Sequence, residues 1–210
     1  MISREKMSGV RLDLVPKRLI GVINGTPYFI RHGEVAYTEF PETGIAAVFA
    51  AKDAEGVYRP LTANEMDGMS EADMLAQAIN NINPLVCPIT KMVGGYDDPD
   101  FPLYVVTNHE QFSGASAIFH PAVQKVLAEK FPHGYWLIPS SRHELLAVPK
   151  CADKERFNEL IGINEDVNRT VVSDRVTKMA MLCGKGSTTT KSKRGQEYFA
   201  PVLFFCAFYK

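Results

Sequence analysis

Cysteine is scarce and poorly spaced for chemistry: the 210 residues hold four, Cys87, Cys151, Cys183 and Cys206, with no C-x-x-C pair. That excludes a zinc knuckle or dithiol redox motif and suits isolated free thiols. Histidine is equally thin. His109-Glu110 and His143-Glu144 each open like the helical zinc motif H-E-x-x-H, but Ser113 and Ala147 stand where the second histidine belongs. The other histidines, His32, His120 and His133, pair with nothing at helical spacing, so no metal ligand set is expected. Nor is there a G-x-G-x-x-G or G-x-x-x-x-G-K-[ST] stretch; Gly184-Lys185-Gly186-Ser187-Thr188 has the phosphate-loop letters in the wrong order. No cofactor fingerprint remains.

Charge of one sign is also missing. Lysine plus arginine total 23 against 24 aspartates and glutamates, a formal net charge of −1, so no global field draws the chain to nucleic acid or an anionic membrane. The longest apolar run, Phe199 to Tyr209, has eleven residues, far below the roughly 20 that a spanning helix needs. The opening residues Met1-Ile2-Ser3-Arg4-Glu5-Lys6 contain no apolar leader core, and a cytoplasmic location is the expectation. What is present, 46% hydrophobic and 22% charged residues, is the balance of an ordinary globular domain.

The pattern along the chain is mixed. Leu19–Ile23 and Tyr28–Ile30 flank the hairpin dipeptide Asn24-Gly25, and Ile45–Ala51 with Val57–Leu61 reads as a second hairpin around Asp53–Gly56. Ser70 and Asp73 form an S-x-x-D cap ahead of Met74, Leu75, Ala78 and Ile82, which predicts a helix over about 70–82. Val86–Ile89, Leu103–Thr107 and Ser116–Phe119 read as strands, and His120-Pro121 opens a helix whose apolar face is Val123, Val126, Leu127 and Phe131. Tyr135–Ile138 and Glu144–Val148 form a hairpin across Pro139–His143; a last helix over about 153–168 carries Phe157, Leu160, Ile163 and Val167, and Val176–Cys183 closes as a strand. This order predicts an α+β class, a mixed and mainly antiparallel sheet with about three helices packed on it.

The organisation expected is a single domain over 1–183, with Gly94–Asp100 marking a sub-boundary at 92–101. A basic flexible linker follows over 184–198, and an apolar strand over 199–210. That Phe-rich strand must dock on the body or on a second copy, as a homodimer would.

Three functional readings follow. The polar hairpin tip gathers Ser140, Ser141, His143 and Glu144, and Asn108-His109 follows another strand. A small Ser/His hydrolase could be assembled there, yet neighbours on a strand point to opposite faces, so His143 and Glu144 are poorly placed as base and orienter. No catalytic residue is assigned. A polar turn whose hydroxyls satisfy backbone groups is the simpler expectation. Lys185, Lys191, Lys193 and Arg194 beside Tyr198 and Phe199 supply phosphate contact and stacking for nucleic acid, though a solvated linker has the same composition. Asp97, Asp98 and Asp100 lack the spacing of a calcium loop and read as solvated turn residues. With no enzyme motif left standing, a protein-interaction module with a protein partner is the leading expectation.

Several segments together resemble a known family. Ile45–Phe49, Leu61–Met66, Ser70–Leu75, Leu103–Asn108, Gly114–Pro121, the Leu137–Leu146 hairpin and Asp166–Thr170 with Ser173-Asp174 are similar, in order and spacing, to the bacterial domain-of-unknown-function family numbered 5688, over roughly residues 20 to 180. Pro139-Ser140-Ser141-Arg142-His143-Glu144 is the most specific piece. The resemblance implies a bacterial protein of a kind found in gut clostridia, often near mobile or conjugative elements; that context, together with the missing motifs, gives the expectation of a regulatory or inhibitory module. It brings no cofactor or catalytic residue with it. The N-terminal region is shorter than the family's usual one, and the tail after Cys183 has no counterpart in it.

Overall fold

A computed structural model describes residues 9–16, 22–23, 26–27, 37–40, 45–53, 55–66, 70–150, 152–170, 181–183, 189–191, 197–199 and 203–205. Its first sheet centres on β5 (Ile45–Lys52). β1 (Arg11–Pro16) lies antiparallel along one side, and β4 (Tyr37–Phe40) and β6 (Tyr58–Pro60) pair with the other. The strands β2 (Val22–Ile23) and β3 (Thr26–Pro27) pair antiparallel on either side of Asn24-Gly25; Leu19–Gly21 and Tyr28–Ile30, read as parts of that hairpin's arms, lie outside the described residues. The second sheet is larger and wholly antiparallel. It contains β7 (Pro84–Pro88), β8 (Tyr104–Asn108), β9 (Tyr135–Ser141), β10 (Glu144–Pro149), β11 (Met181–Cys183) and β14 (Leu203–Phe205), in the order β14-β11-β9-β10-β8-β7. A separate ribbon joins β12 (Thr189–Lys191) to β13 (Glu197–Phe199), inside the stretch read as a linker. The class is therefore α+β with antiparallel sheets, as predicted.

Helix α1 (Glu71–Asn80) starts where its cap demands: the Ser70 hydroxyl accepts from the Asp73 N–H at 3.1 Å and donates to the Asp73 carboxylate at 2.6 Å. A single turn, α2 (Thr90–Val93), follows β7. Helix α3 (Pro121–Lys130) begins on proline, with His120 Nδ1 accepting from the Ala122 N–H at 3.2 Å, and α4 (Lys154–Thr170) is the longest. The segment 92–101, marked by composition as a sub-boundary, joins β7 to β8, and these are neighbouring strands of one sheet.

Two predictions are corrected. Ser116–Phe119 is not a strand; Gly114–Phe119 forms a 3-10 helix with all six residues buried. Burial on every side leaves no polar alternation to reveal the helical turn. Ile163 and Val167 do not continue the buried face of α4. The face that meets the sheet is Phe157, Leu160, Ile161 and Asn164, while Ile163 and Val167 are 55% and 41% exposed. At 100° per residue, Ile163 falls well outside that arc.

Both faces of the large sheet are covered. Leu137, Leu145 and Ala147 face a core shared with Leu12, Leu14, Phe49, Met74, Ile118 and Leu127. Their neighbours Ile138, Leu146 and Val148 face the opposite core, under Met92, Phe157 and Leu160. A strand buried on both sides needs an unbroken apolar run, hence Leu145-Leu146-Ala147-Val148.

At the β7 end the sheet edge is blunted. Backbone bonds from His109 N–H to Asn83 C=O and from Ile89 N–H to Leu103 C=O, both 3.0 Å, fix the parity of the ladder. Pro84, Val86 and Pro88 are therefore the outward-facing residues, and two of the three lack an N–H. One outward donor does not template another strand.

Candidate functional site

The hairpin between β9 and β10 turns at Arg142-His143, with a register shift at Glu144/Leu145 that leaves Ser140 as the extra residue of a bulge. The Ser141 hydroxyl accepts from the His143 N–H at 3.0 Å, and the Ser140 hydroxyl donates to Glu144 at 3.1 Å. His143 Nδ1 accepts from the Ser113 N–H at 3.1 Å. A nitrogen that accepts carries no proton, so the neutral ring is protonated at Nε2. This reverses the polarity a serine triad requires, where Nδ1–H donates to the orienting acid and Nε2 receives the nucleophile's proton.

The loop after β8 interlocks with this turn. Asn108 accepts from the Phe112 N–H at 3.1 Å and donates back to the Phe112 C=O at 2.8 Å, closing a ring around residues 108–112. Gln111 inside it and Ser113 just after it both have φ of +52°, a left-handed conformation unusual for residues with a side chain. Thr107 donates to the His143 C=O at 2.8 Å, and the Ala115 N–H reaches the Arg142 C=O at 3.2 Å. Gly114 sits in the joint. A Cβ there would come within 2.3 Å of Thr107 Oγ1, 2.5 Å of the His143 carbonyl oxygen and 2.8 Å of the Asn108 nitrogen, so only glycine fits.

Side chains from the first sheet complete the cluster. Arg142 pairs with the buried carboxylate of Asp13 on β1 at 3.1 Å and lies 5.3 Å above the Phe112 ring. Phe112 stacks on Tyr58 at 5.8 Å, and Arg11 and Lys52 cover the Tyr58 face at 4.6 and 5.4 Å. The structure thus brings Ser140, Ser141, His143, Glu144 and Asn108 together, each bonded in a way that builds the joint. His109 stands exposed on the loop, with its backbone N–H on Asn83. Asp13, Tyr58, Phe112, Ser113 and Gly114 escape sequence reasoning, because their contacts join segments far apart in the chain.

The loop between α2 and β8 is pinned too, but it faces outward. Gly94 and Gly95, at φ of +79° and +101°, turn the chain sharply off α2. The Thr90 hydroxyl bonds to the Asp97 carboxylate. One oxygen of Asp98 accepts from the Asp100 and Phe101 N–H groups at 2.9 and 3.3 Å, and the other takes Arg156 at 2.5 Å. The Arg156 bond, then the backbone donors, holds the Asp98 carboxyl below its usual pKa. Arg156 also covers the ring of buried Phe101 at 4.7 Å. From this fixed frame Tyr96 projects 86% exposed, with Val93, three residues earlier, at 76%.

Among the described residues no three His, Cys, Asp or Glu side chains converge to hold a metal, and no helix is long and apolar enough to cross a membrane. Cys87 is a buried free thiol, its pKa raised by that burial. Lys185, Lys193 and Arg194 lie outside the described residues, as does the side chain of Lys191 on β12. For the Phe-rich tail, the described part is the backbone of β13 and β14, the latter pairing with β11.

The family of unknown function DUF5688 matches residues 51–176, more than half of the chain, and the protein belongs to that family. The match spans both loops described above and the P-S-S-R-H-E hairpin, but it starts after β1, which supplies Asp13. No curated protein and no solved structure matches the chain.

Proposed function

We propose that this DUF5688 protein is a cytoplasmic protein-interaction module of regulatory or inhibitory type, working through the 93–100 loop. One observation carries the reading: a tyrosine 86% exposed on a loop tied down at Thr90, Asp98 and Arg156. Leaving a large ring in water gains nothing for the fold. Fixing the backbone beneath it lowers the ordering cost of a later contact, and tyrosine is among the side chains that dominate interface energies. The hydrolase reading loses support from the same geometry, since the Ser140 and Ser141 hydroxyls bond to Glu144 and to a backbone N–H.

A photo-crosslinking amino acid at position 96, in cells that naturally make the protein, tests this. The expected result is a discrete adduct absent when the same group replaces Glu129, exposed on α3. Identical adducts at both positions, or none at 96, would contradict it.

A further inference from the structure

We infer that the partner presents a cationic segment, rich in lysine or arginine and carrying an apolar side chain, to the Tyr96 loop. The inference rests on the interaction reading above and adds the chemistry of what is bound. Exposed Tyr96 and Val93 supply apolar contact area. Charge selects the occupant. Between residues 89 and 103 the chain has three aspartates, Asp97, Asp98 and Asp100, and one lysine, Lys91. Asp98 already pairs with Arg156. That leaves Asp97, held by a neutral hydroxyl, and Asp100 as negative charges one and four residues after Tyr96, against the single Lys91 five residues before it. An acidic segment would meet like charge just past Tyr96, whereas a basic one gains steering and register. Strand addition at the neighbouring sheet edge is closed by Pro84 and Pro88, so side chains must do the recognising.

The test uses the full chain and a phage-displayed library of random dodecapeptides, selected in parallel on the unmodified protein, Tyr96→Ala and Asp97→Asn/Asp100→Asn. The double variant keeps an oxygen for the Thr90 hydroxyl and spares Asp98, so the loop stays tied while two charges go. Peptides enriched on the unmodified protein are expected to be rich in lysine and arginine. They should bind Tyr96→Ala about tenfold or more weakly and the double variant about threefold or more weakly, with affinity falling as salt rises. Tyr96-dependent peptides that are neutral or acidic, or that ignore the double variant, would overturn the cationic partner while leaving the interaction reading intact. The same peptides on all three proteins, or none on any, would overturn both.

Discussion

The hairpin tip and the Tyr96 loop are held by the same means, short polar side chains closing on backbone groups, yet they differ in where the remaining atoms point. At the tip, Asn108, Thr107, Ser141 and His143 direct their bonds into the joint, beside the pair of half-buried Arg142 with buried Asp13. In the loop, Thr90, Asp98 and Arg156 fix the backbone from below and Tyr96 stays in solvent. A cluster of serine, histidine and glutamate is thus consistent with a structural joint, and a bare turn with a recognition surface. Direction of bonding, not residue type, separates the two.

Substitutions should divide along the same line. The largest effect is expected from Asp13→Ala, which removes the buried carboxylate paired with the half-buried Arg142 guanidinium and should lower unfolding free energy by about 3–5 kcal/mol in urea titration. Gly114→Ala comes next at about 3 kcal/mol, because the intruding Cβ meets backbone atoms that cannot swing aside. Asn108→Ala removes both bonds to Phe112 and leaves the left-handed residues unsupported, for a loss of about 2 kcal/mol. Tyr96→Ala should stay within about 0.5 kcal/mol, as an exposed side chain does.

A further small effect is set by pH. The Asp98 pKa is lowered on folding, so its contribution is present above the ordinary carboxyl range of about 3.9 and is lost as pH falls through the folded-state value. Asp98→Asn should therefore lower the urea midpoint slightly at neutral pH, and the gap to the unmodified protein should close below about pH 4. A gap that persists in acid would mean that Asp98 acts through something other than its charge.

Much of the fold is legible in the sequence, because its signals are local. Ser70 with Asp73, His120 before Pro121, and Asn24-Gly25 each mark an element with residues a few positions apart, and the structure places α1, α3 and the paired strands β2 and β3 at those marks. The buried 3-10 helix over Gly114–Phe119 hides because burial on all sides erases periodicity. Ile163 and Val167 mislead because apolar residues need not mark the packed arc. The joint itself is long-range: Asp13 meets Arg142, and Ser113 meets His143, only after the sheets pair. For the Tyr96 loop the glycines and aspartates announce a turn, but the Arg156 tie that fixes it comes from α4, beyond the reach of any spacing.

The most direct test is a side-by-side urea titration of Asn108→Ala and Tyr96→Ala against the unmodified chain. The account predicts a loss of about 2 kcal/mol for Asn108→Ala and no resolvable change for Tyr96→Ala. If Tyr96→Ala destabilises as much as Asn108→Ala, or Asn108→Ala leaves stability untouched, the division between structural joint and recognition loop is wrong.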